Sequence, residues 1–291
     1  MEKYAVILNP KAGRGKGEKF KSQIESALEA ELKPEKLFLT ESPGHAQDIA
    51  NSIKNTTDVI IAVGGDGTIH EIVNGMIGGT ASLAVIPMGS GNDFIKMLNL
   101  PGELNQAIQV IKRNKRQKID IGKIGDLYFP NGVGIGFDAW VVKESLNVKR
   151  LRGFFIYLYS VIKALSAYKN SRITLSMDGK TEERDVFLMA IGNGQAMGGG
   201  FFLTPNAVID DGQLDICLIR GLKKWEVLLH LPKAIKGNHI HLEQVQNMRS
   251  NTLRITSDHG IAVHADGELL SMNMKEIEIS ILPAALEVIV N

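Results

Sequence analysis

The sequence predicts two domains of different class. Residues 1–122 are expected to form an α/β domain, a parallel sheet with helices on its faces, and residues 123–291 an antiparallel β-sandwich. Three observations carry this. Short apolar runs alternate with helically spaced apolar residues through the first 120 positions. Three glycine-rich turns interrupt that alternation, each directly after an apolar run. Past the basic stretch "IKRNKRQK", near Ile119, the texture becomes β-rich runs joined by Asp-Gly turns.

The elements follow in order. Tyr4–Leu8 is the first strand, and Phe20, Ile24, Ala27 and Leu28 behind it have helical spacing. Lys36–Leu39 is the second strand, with Ala46, Ile49, Ala50 and Ile53 as the next helical face. Val59–Val63 runs into Gly64-Gly65-Asp66-Gly67-Thr68, then Ile69, Ile72, Val73 and Met76. Leu83–Ile86 leads through Pro87 to Gly89-Ser90-Gly91-Asn92-Asp93, with helical Phe94, Ile95 and Leu98 behind. Strands separated by helices imply a parallel sheet. Ligands of such sheets sit beyond the carboxyl ends of the strands, so Asn9–Gly13, Gly64–Thr68 and Pro87–Asn92 share one rim. In the second half, "RITLSMDGKTEERDVFLMAI" predicts a hairpin at Asp178-Gly179. "NTLRITSDHGIAVHA" predicts another, with Asp258–Gly260 in the turn, and "EIEISIL" alternates. A helix over Trp225–Ile235 is expected to kink or shorten at Pro232.

Composition narrows the classes. With 291 residues, 44% hydrophobic and 22% charged, the chain has an ordinary globular balance. A net charge of +1 supplies no general attraction for nucleic acid or an anionic membrane, and no nucleic-acid partner is expected. The one cysteine, Cys217, allows no intramolecular disulfide and suits a reducing, cytoplasmic setting as an inert core thiol. "MEKYAVILNP" lacks the regions of a signal peptide. No apolar run approaches the ~20 residues that span a bilayer.

A glycine-rich turn entering a helix presents backbone N–H groups at the positive end of the helix dipole, a phosphate-binding arrangement. Glycine serves there because a Cβ would hold a phosphate off the backbone. Thr68 and Glu71 also have the spacing of a capping box, which would close the helix without a ligand. Asp66 would repel phosphate unless a cation lay between them, so the turn predicts Mg²⁺. Ser90 is expected to cap the following helix or to bond a phosphate, and Asp93 is a second carboxylate nearby or a helix-start residue. Gly13, Gly15 and Gly17 give G-x-G-x-G, which does not match the dinucleotide fingerprint G-x-G-x-x-G, and no Walker-type loop occurs.

Asn9-Pro10-x-Ala12-Gly13, Gly64-Gly65-Asp66-Gly67-Thr68 and Pro87-x-Gly89-Ser90-x-Asn92-Asp93-Phe94 together resemble the diacylglycerol kinase catalytic-domain family, which includes bacterial lipid kinases and sphingosine kinases. "GNGQAMGGGFFLTPNAVIDDGQLDI", Gly192–Ile216, and "HADGE", His264–Glu268, continue the resemblance over nearly the full chain. It implies an N-terminal domain related to NAD kinases, a C-terminal β-sandwich, and transfer of the ATP γ-phosphate to a membrane lipid hydroxyl, with diacylglycerol the leading acceptor. By this resemblance, Asn9, Pro10, Lys11, Ala12 and Gly13 hold ATP with Gly65, Asp66, Gly67, Thr68, Ile69, His70 and Glu71, helped by Thr40, Ser90, Asn92 and Asp93. Asp66, Asp93 and Asp211 correspond to carboxylates of a Mg²⁺–water network. A structural Mg²⁺ site would use the Asp211 side chain and the backbone carbonyls of Val208 and Gln213. Asp266 and Glu268 are the candidate catalytic carboxylates, one as base for the lipid hydroxyl and the other orienting it. They are expected to alternate along one extended segment and face one side. Two positions depart from the family: Ser90 where threonine is frequent, and His70 where bacterial members often have asparagine. His70 then bears on substrate choice, or is an exposed histidine in a first helical turn.

Peripheral contact with the inner face of the membrane is expected. Its candidate surfaces are "AMGGGFFLTP", a flexible apolar strip with Met197, Phe201 and Phe202, and "RLRGFFIYLYSVIKALSAYK". The latter sets Phe154, Phe155, Tyr157, Leu158, Val161, Ile162 and Leu165 beside Arg150, Arg152, Lys163 and Lys169. A buried helix with charged ends has the same pattern. The run Lys112–Lys118 is either a patch for anionic lipid or a solvated helix end. A homodimer is compatible with the sequence. The alternatives are an NAD kinase, a sphingoid-lipid kinase, and a non-catalytic lipid- or nucleotide-binding regulator.

Overall fold

The computed structural model describes residues 2–146, 148 and 154–291, with side chains at all of these except 154–157. Arg150 and Arg152 lie outside the described residues, as do the side chains of Phe154, Phe155 and Tyr157. The chain divides into two compact units, Met1–Ile121 with Pro283–Asn291, and Gly122–Leu282. The expected second domain runs from 123 to 291, whereas Pro283–Asn291 falls with the first unit. The cause is pairing: Val288 lies parallel to Leu83. Ala284 N also donates to Asp120 Oδ1 at 2.7 Å, and Ser82 Oγ donates to Glu287 Oε2 at 2.5 Å. An alternating apolar run carries no signal of which sheet it joins.

In the first unit β1 (Tyr4–Leu8), α1 (Ala12–Lys19), α2 (Lys21–Glu31), β2 (Lys36–Leu39), α3 (His45–Ile53), β3 (Val59–Gly64), α4 (Asp66–Met76), β4 (Ser82–Pro87), α5 (Asp93–Met97) and α6 (Leu104–Arg113) follow one another, and β5 (Lys115–Ile124) leaves it. The strands pair in parallel in the order β4-β3-β1-β2. All of β3 and β4 is buried, as expected for strands covered on both faces. Ile24 and Leu28 of α2 and Ala107, Ile108, Val110 and Ile111 of α6 enter one core with Val6, Leu8, Ile61 and Ile289. The basic run meets acidic partners inside this unit: Lys112 pairs with Glu31 at 2.5 Å, and Arg116 with Glu2 at 2.8 Å and Glu287 at 3.1 Å.

The second unit is largely antiparallel, with β6 (Leu127–Phe129), β7 (Gly132–Gly136), α7 (Phe137–Leu146), α8 (Phe154–Ala167), β8 (Ser171–Met177), β9 (Lys180–Val186), β10 (Leu188–Gly192), β11 (Leu214–Ile219), α9 (Lys224–Ile235), β12 (Val245–Ser250), β13 (Thr252–Ala265) and β14 (Glu268–Val290). Asp178 and Gly179, both at positive φ, make the expected tight turn between β8 and β9. The turn expected at Asp258–Gly260 does not form. β13 runs through it, with register shifts against β14 between Thr256 and Ile261 and again near Val263. This bulge lets one strand serve two neighbours: Arg254–Thr256 pair with β8, and Val263–Ala265 with β7. Gly260, at φ 72°, supplied the misleading turn signal. Helix α9 continues past Pro232, so the expected shortening does not occur. The bond lost is the one that the Leu228 carbonyl would accept, and Leu228 is exposed, so water can take its place.

Candidate active site

The three turns of the first unit are joined by close backbone approaches. A Cβ on Gly65 would lie 3.0 Å from Gly89 Cα, and one on Gly13 would lie 2.2 Å from the Met88 carbonyl oxygen. Glycine is therefore required for the turns to touch, and Gly13 also adopts φ 58°. Side chains complete the joins. Asn9 Nδ2 donates to Thr68 Oγ1 at 2.9 Å, and Phe94 N donates to Asp66 Oδ1 at 3.3 Å. Asn9 Oδ1 accepts from Lys11 N at 2.9 Å, and Asn9 O from Ala12 N at 3.1 Å. Pro10 O accepts from Glu18 N at 2.8 Å, and Lys11 Nζ reaches Glu41 O at 3.3 Å. Thr40 N continues the β2–β1 ladder onto Leu8 O at 3.0 Å. Asn92, the N-cap of α5 in left-handed conformation, donates from Nδ2 to Gly89 O at 3.2 Å.

Several roles change on this geometry. Helix α4 starts at Asp66 with Gly65 as its N-cap, so Thr68 lies within the first turn and the Thr68–Glu71 capping box does not exist. Glu71 instead accepts from Ala46 N of α3 at 3.2 Å. Ser90 is exposed and does not cap α5, which no side chain caps. The Ile69 side chain is in the core, so at the rim only its backbone is offered. His70 is 7% exposed, contrary to the exposed-histidine reading, with Asn74 Nδ2 on its carbonyl at 2.8 Å. Asp93 is buried and pairs with Lys96 at 3.2 Å. The first turn of α4 retains N–H groups with no intrahelical acceptor, beside the Asp66 carboxylate. One carboxylate next to phosphate-ready amides fits a Mg²⁺ ion that arrives on a nucleotide, because Mg²⁺ is usually held by one or two carboxylates plus substrate phosphates.

In the second unit Asp266 and Glu268 do not lie along one extended segment. Asp266 (φ 48°) and Gly267 (φ 86°) are the two central residues of a tight turn whose flanks, Ala265 and Glu268, pair with each other. Asp266 Oδ1 accepts from Asn131 N at 3.0 Å and Gly132 N at 2.9 Å, while Asp266 N donates to Gly132 O at 2.9 Å. The 130–132 segment is fixed in turn by buried Asn193, whose Nδ2 donates to Pro130 O at 2.9 Å. Glu268 is exposed at the start of β14.

Sequence reasoning missed the support beneath this turn. Buried His264 faces Asp138 of α7, with Nε2 and Oδ2 2.9 Å apart, and its Nδ1 accepts from Gly267 N at 3.2 Å. With Nδ1 accepting, Nε2 is the donor of the hydrogen bond to Asp138 Oδ2. Gly134 leaves the room, since a Cβ there would lie 2.1 Å from His264 Nε2. The sequence signal was the histidine two residues before a Asp-Gly turn, but its partner is 126 positions away.

The loop carrying Asp211 is differently built. Asp211 Oδ1 accepts from Gln213 N at 3.0 Å, and Oδ2 accepts from the Arg249 guanidinium, which also donates to Asp215 at 3.2 Å. Val208 is 47% exposed. Both Asp211 oxygens are engaged and a guanidinium supplies the positive charge, so this donor set does not fit a resident Mg²⁺. In the apolar strip Met197 and Phe201 bridge each other and are buried beside α8 and α9.

Comparison with known proteins bears on the family and the fold. Residues 3–124 match the diacylglycerol kinase catalytic domain, and residues 131–290 match the YegS C-terminal NAD kinase beta sandwich-like domain. A diacylglycerol kinase of Staphylococcus saprophyticus is 30% identical over 90% of this chain and 88% of its own. One of Mycobacterium tuberculosis is 30% identical over 99% of this chain and 94% of its own. The crystal structure of a Bacillus anthracis diacylglycerol kinase superposes with a TM-score of 0.76 at 25% identity, covering 100% of this chain and 97% of that one. Yeast NADH kinase, solved with NADH, superposes at 0.56 with 12% identity, covering 100% and 84%, a likeness of fold alone. Both halves are matched in order and nearly end to end, and on that ground the chain belongs to the diacylglycerol kinase family and is a lipid kinase.

Proposed function

We propose that the protein transfers the γ-phosphate of ATP to the free hydroxyl of diacylglycerol, giving phosphatidic acid. The observation that carries this is the backbone-lined rim at Gly65–Thr68, coupled by Asp66 to the Phe94 amide, in a chain whose relatives are diacylglycerol kinases. The N–H groups at the start of α4 bind phosphate oxygens, with Asn9 and Thr68 holding the first turn against them. Mg²⁺, when bound with the nucleotide at Asp66, would screen the phosphate charge. Asp66 thereby orients the phosphates while the Gly65–Gly89 contact keeps the two turns rigid.

The attacking hydroxyl must lose its proton, and the two candidate carboxylates divide the work. Asp266 Oδ1 is committed to two backbone amides and fixes the turn. Glu268, exposed on the next residue but one, accepts the proton. An apolar cavity of about 60 Å³ lined by Phe137, Val161, Phe187, Phe201, Val227 and Leu231 supports a lipid acceptor. It has room for the tip of an acyl chain, and α9 must shift outward to admit more.

The test is a radiolabelled-ATP assay with Mg²⁺, offering diacylglycerol and sphingosine in mixed vesicles beside free NAD. Label on diacylglycerol is expected. Label on sphingosine alone would move the acceptor, and label on NAD alone would overturn the lipid reading. Glu268→Gln is expected to lower turnover ~10²-fold or more with ATP affinity unchanged. Asp266→Asn keeps an acceptor oxygen for Asn131 and Gly132, so the fold persists and turnover falls less.

A further inference from the structure

Helix α9 carries two apolar stripes. Val227, Leu231 and Ala234, at i, i+4 and i+7, face the core of the second unit. Trp225, Leu228, Leu229 and Pro232, at i, i+3, i+4 and i+7, are all exposed, Trp225 and Leu229 at 61% each. A helix on the surface of a globular protein needs only the first stripe. The second sets a tryptophan and two leucines in water at a loss for which the fold gives no return. Exposed Lys223, Lys224, Lys233 and Lys236 flank it, against the single acid Glu226, whose carboxylate closes the helix by accepting from Lys223 N at 2.7 Å.

We infer that the outward face of α9 is the surface by which the enzyme seats on an anionic lipid bilayer, with Trp225, Leu228 and Leu229 in the headgroup–acyl boundary and the lysines against the anionic headgroups. The inference rests on the lipid kinase reading only in that the substrate resides in a bilayer; the binding itself needs neither ATP nor turnover. Charge selects the occupant. A second copy of the chain offering the same face would set lysine against lysine, as a two-fold interface repeats one patch on both sides. An anionic membrane matches the apolar stripe and the basic flanks together. The placement also has a mechanical consequence: the inner stripe of the same helix lines the apolar cavity, so a helix held by the bilayer is one whose displacement opens that cavity towards lipid.

The test uses the full chain and vesicles of phosphatidylcholine with phosphatidylglycerol, free of diacylglycerol and ATP. Co-sedimentation is expected to fall as salt rises. Leu228→Glu with Leu229→Glu is expected to weaken it ~10-fold or more, as is Lys233→Glu with Lys236→Glu. Lipids brominated along the acyl chain are expected to quench the tryptophan fluorescence of the wild type and to lose that effect in Trp225→Phe, where Trp140 remains. Phosphorylation of a short-chain diacylglycerol in free solution is expected to be unchanged in the Leu228/Leu229 variant. Equal vesicle binding by wild type and both charge variants, or quenching that persists in Trp225→Phe, would overturn the proposal, as would a dimer that vanishes with the leucines while vesicles never bind. If no lipid is ever phosphorylated yet binding depends on Trp225, Leu228 and Leu229, the docking surface stands and the lipid kinase reading falls.

Discussion

Gly134→Ala isolates the support beneath the Asp266 turn. The new Cβ would lie 2.1 Å from His264 Nε2 and 2.3 Å from Asp138 Oδ2, both far inside contact distance. Imidazole and carboxylate must part, and neither has room, since both residues are buried. Losing a hydrogen bond to a charged group costs about 1.5–3 kcal/mol. Forcing a methyl into a packed core costs about 1–3 kcal/mol. The sum, about 2.5–6 kcal/mol, is a large part of the ~5–15 kcal/mol that holds an ordinary domain folded. At roughly 2–4 °C per kcal/mol, the melting temperature should fall by about 5–24 °C. Circular dichroism melts check this, with Gly102→Ala as control because nothing lies within 4 Å of its Cβ. Turnover measured well below the melting point should fall too, because a displaced His264 releases Gly267 N and with it the Asp266 turn. A Gly134→Ala protein that melts within about 2 °C of the wild type would show that the pair is not packed as described.

Other positions give independent checks. Gly89→Ala puts a Cβ 2.5 Å from Asn92 Oδ1 and 2.8 Å from Gly65 Cα, so the two glycine turns separate. Calorimetry should show ATP affinity lower by about tenfold, one lost good contact's worth; unchanged affinity would remove these turns from the nucleotide site. The Ser82 hydroxyl, with Arg116 beside it, holds the Glu287 carboxyl below its ordinary value of 4.5. Its folded pKa is thus below its unfolded one, so this stabilisation is complete above about pH 4.5 and is lost as pH falls through the lowered value. Ser82→Ala should cost about 1 kcal/mol at neutral pH, and urea titrations should find the gap to wild type closing below pH 4.5. A gap that widens in acid would refute the assignment. Burial pushes the Cys217 thiol up to about 12, so a thiol reagent at pH 8 should label it only as fast as the protein opens. Rapid labelling of the folded protein would mean that water reaches the core around Cys217 without opening of the fold.

What the sequence made legible follows from how local the determinants are. β3 and β4 are continuous apolar runs ended by glycine and proline, and both are found within one residue of the expected bounds. The Asp178-Gly179 hairpin needs only two residues at positive φ. Where contacts are long-range, the pattern misled. The glycine at 260 signals a turn, but β13 spends it on a bulge because β7 and β8 claim different ends of that strand. Glu71 has capping-box spacing, yet the helix begins at Asp66, so its carboxylate is used by α3. The rim turns were visible as glycines; that they touch through Gly65 and Gly89 was not. His264 and Asp138 could not have been joined from one sequence, because nothing local to either requires the other.

Two of the candidate site carboxylates, Asp66 and Asp266, are held in a common way. Phe94 N donates to Asp66, and Asn131 N and Gly132 N donate to Asp266, so each is aimed by main-chain amides of a neighbouring turn. An amide donor fixes the direction of a carboxylate without the long, mobile stem that a lysine would bring. It also makes the aim depend on backbone position, and here that position is set by glycines that let turns touch: Gly65 against Gly89, and Gly134 beneath His264. The sensitivity of the Asp266 turn should therefore lie in Gly134 more than in the Asp266 charge. Asp266→Asn preserves the hydrogen bonds to Asn131 and Gly132, whereas Gly134→Ala, which alters no charge, moves the turn that makes them. If turnover follows that order, with the glycine variant the worse at a temperature where both are folded, backbone placement governs the site. If Asp266→Asn is the worse, the negative charge at Asp266 matters beyond orientation, and its role moves from positioning the turn to the reaction itself.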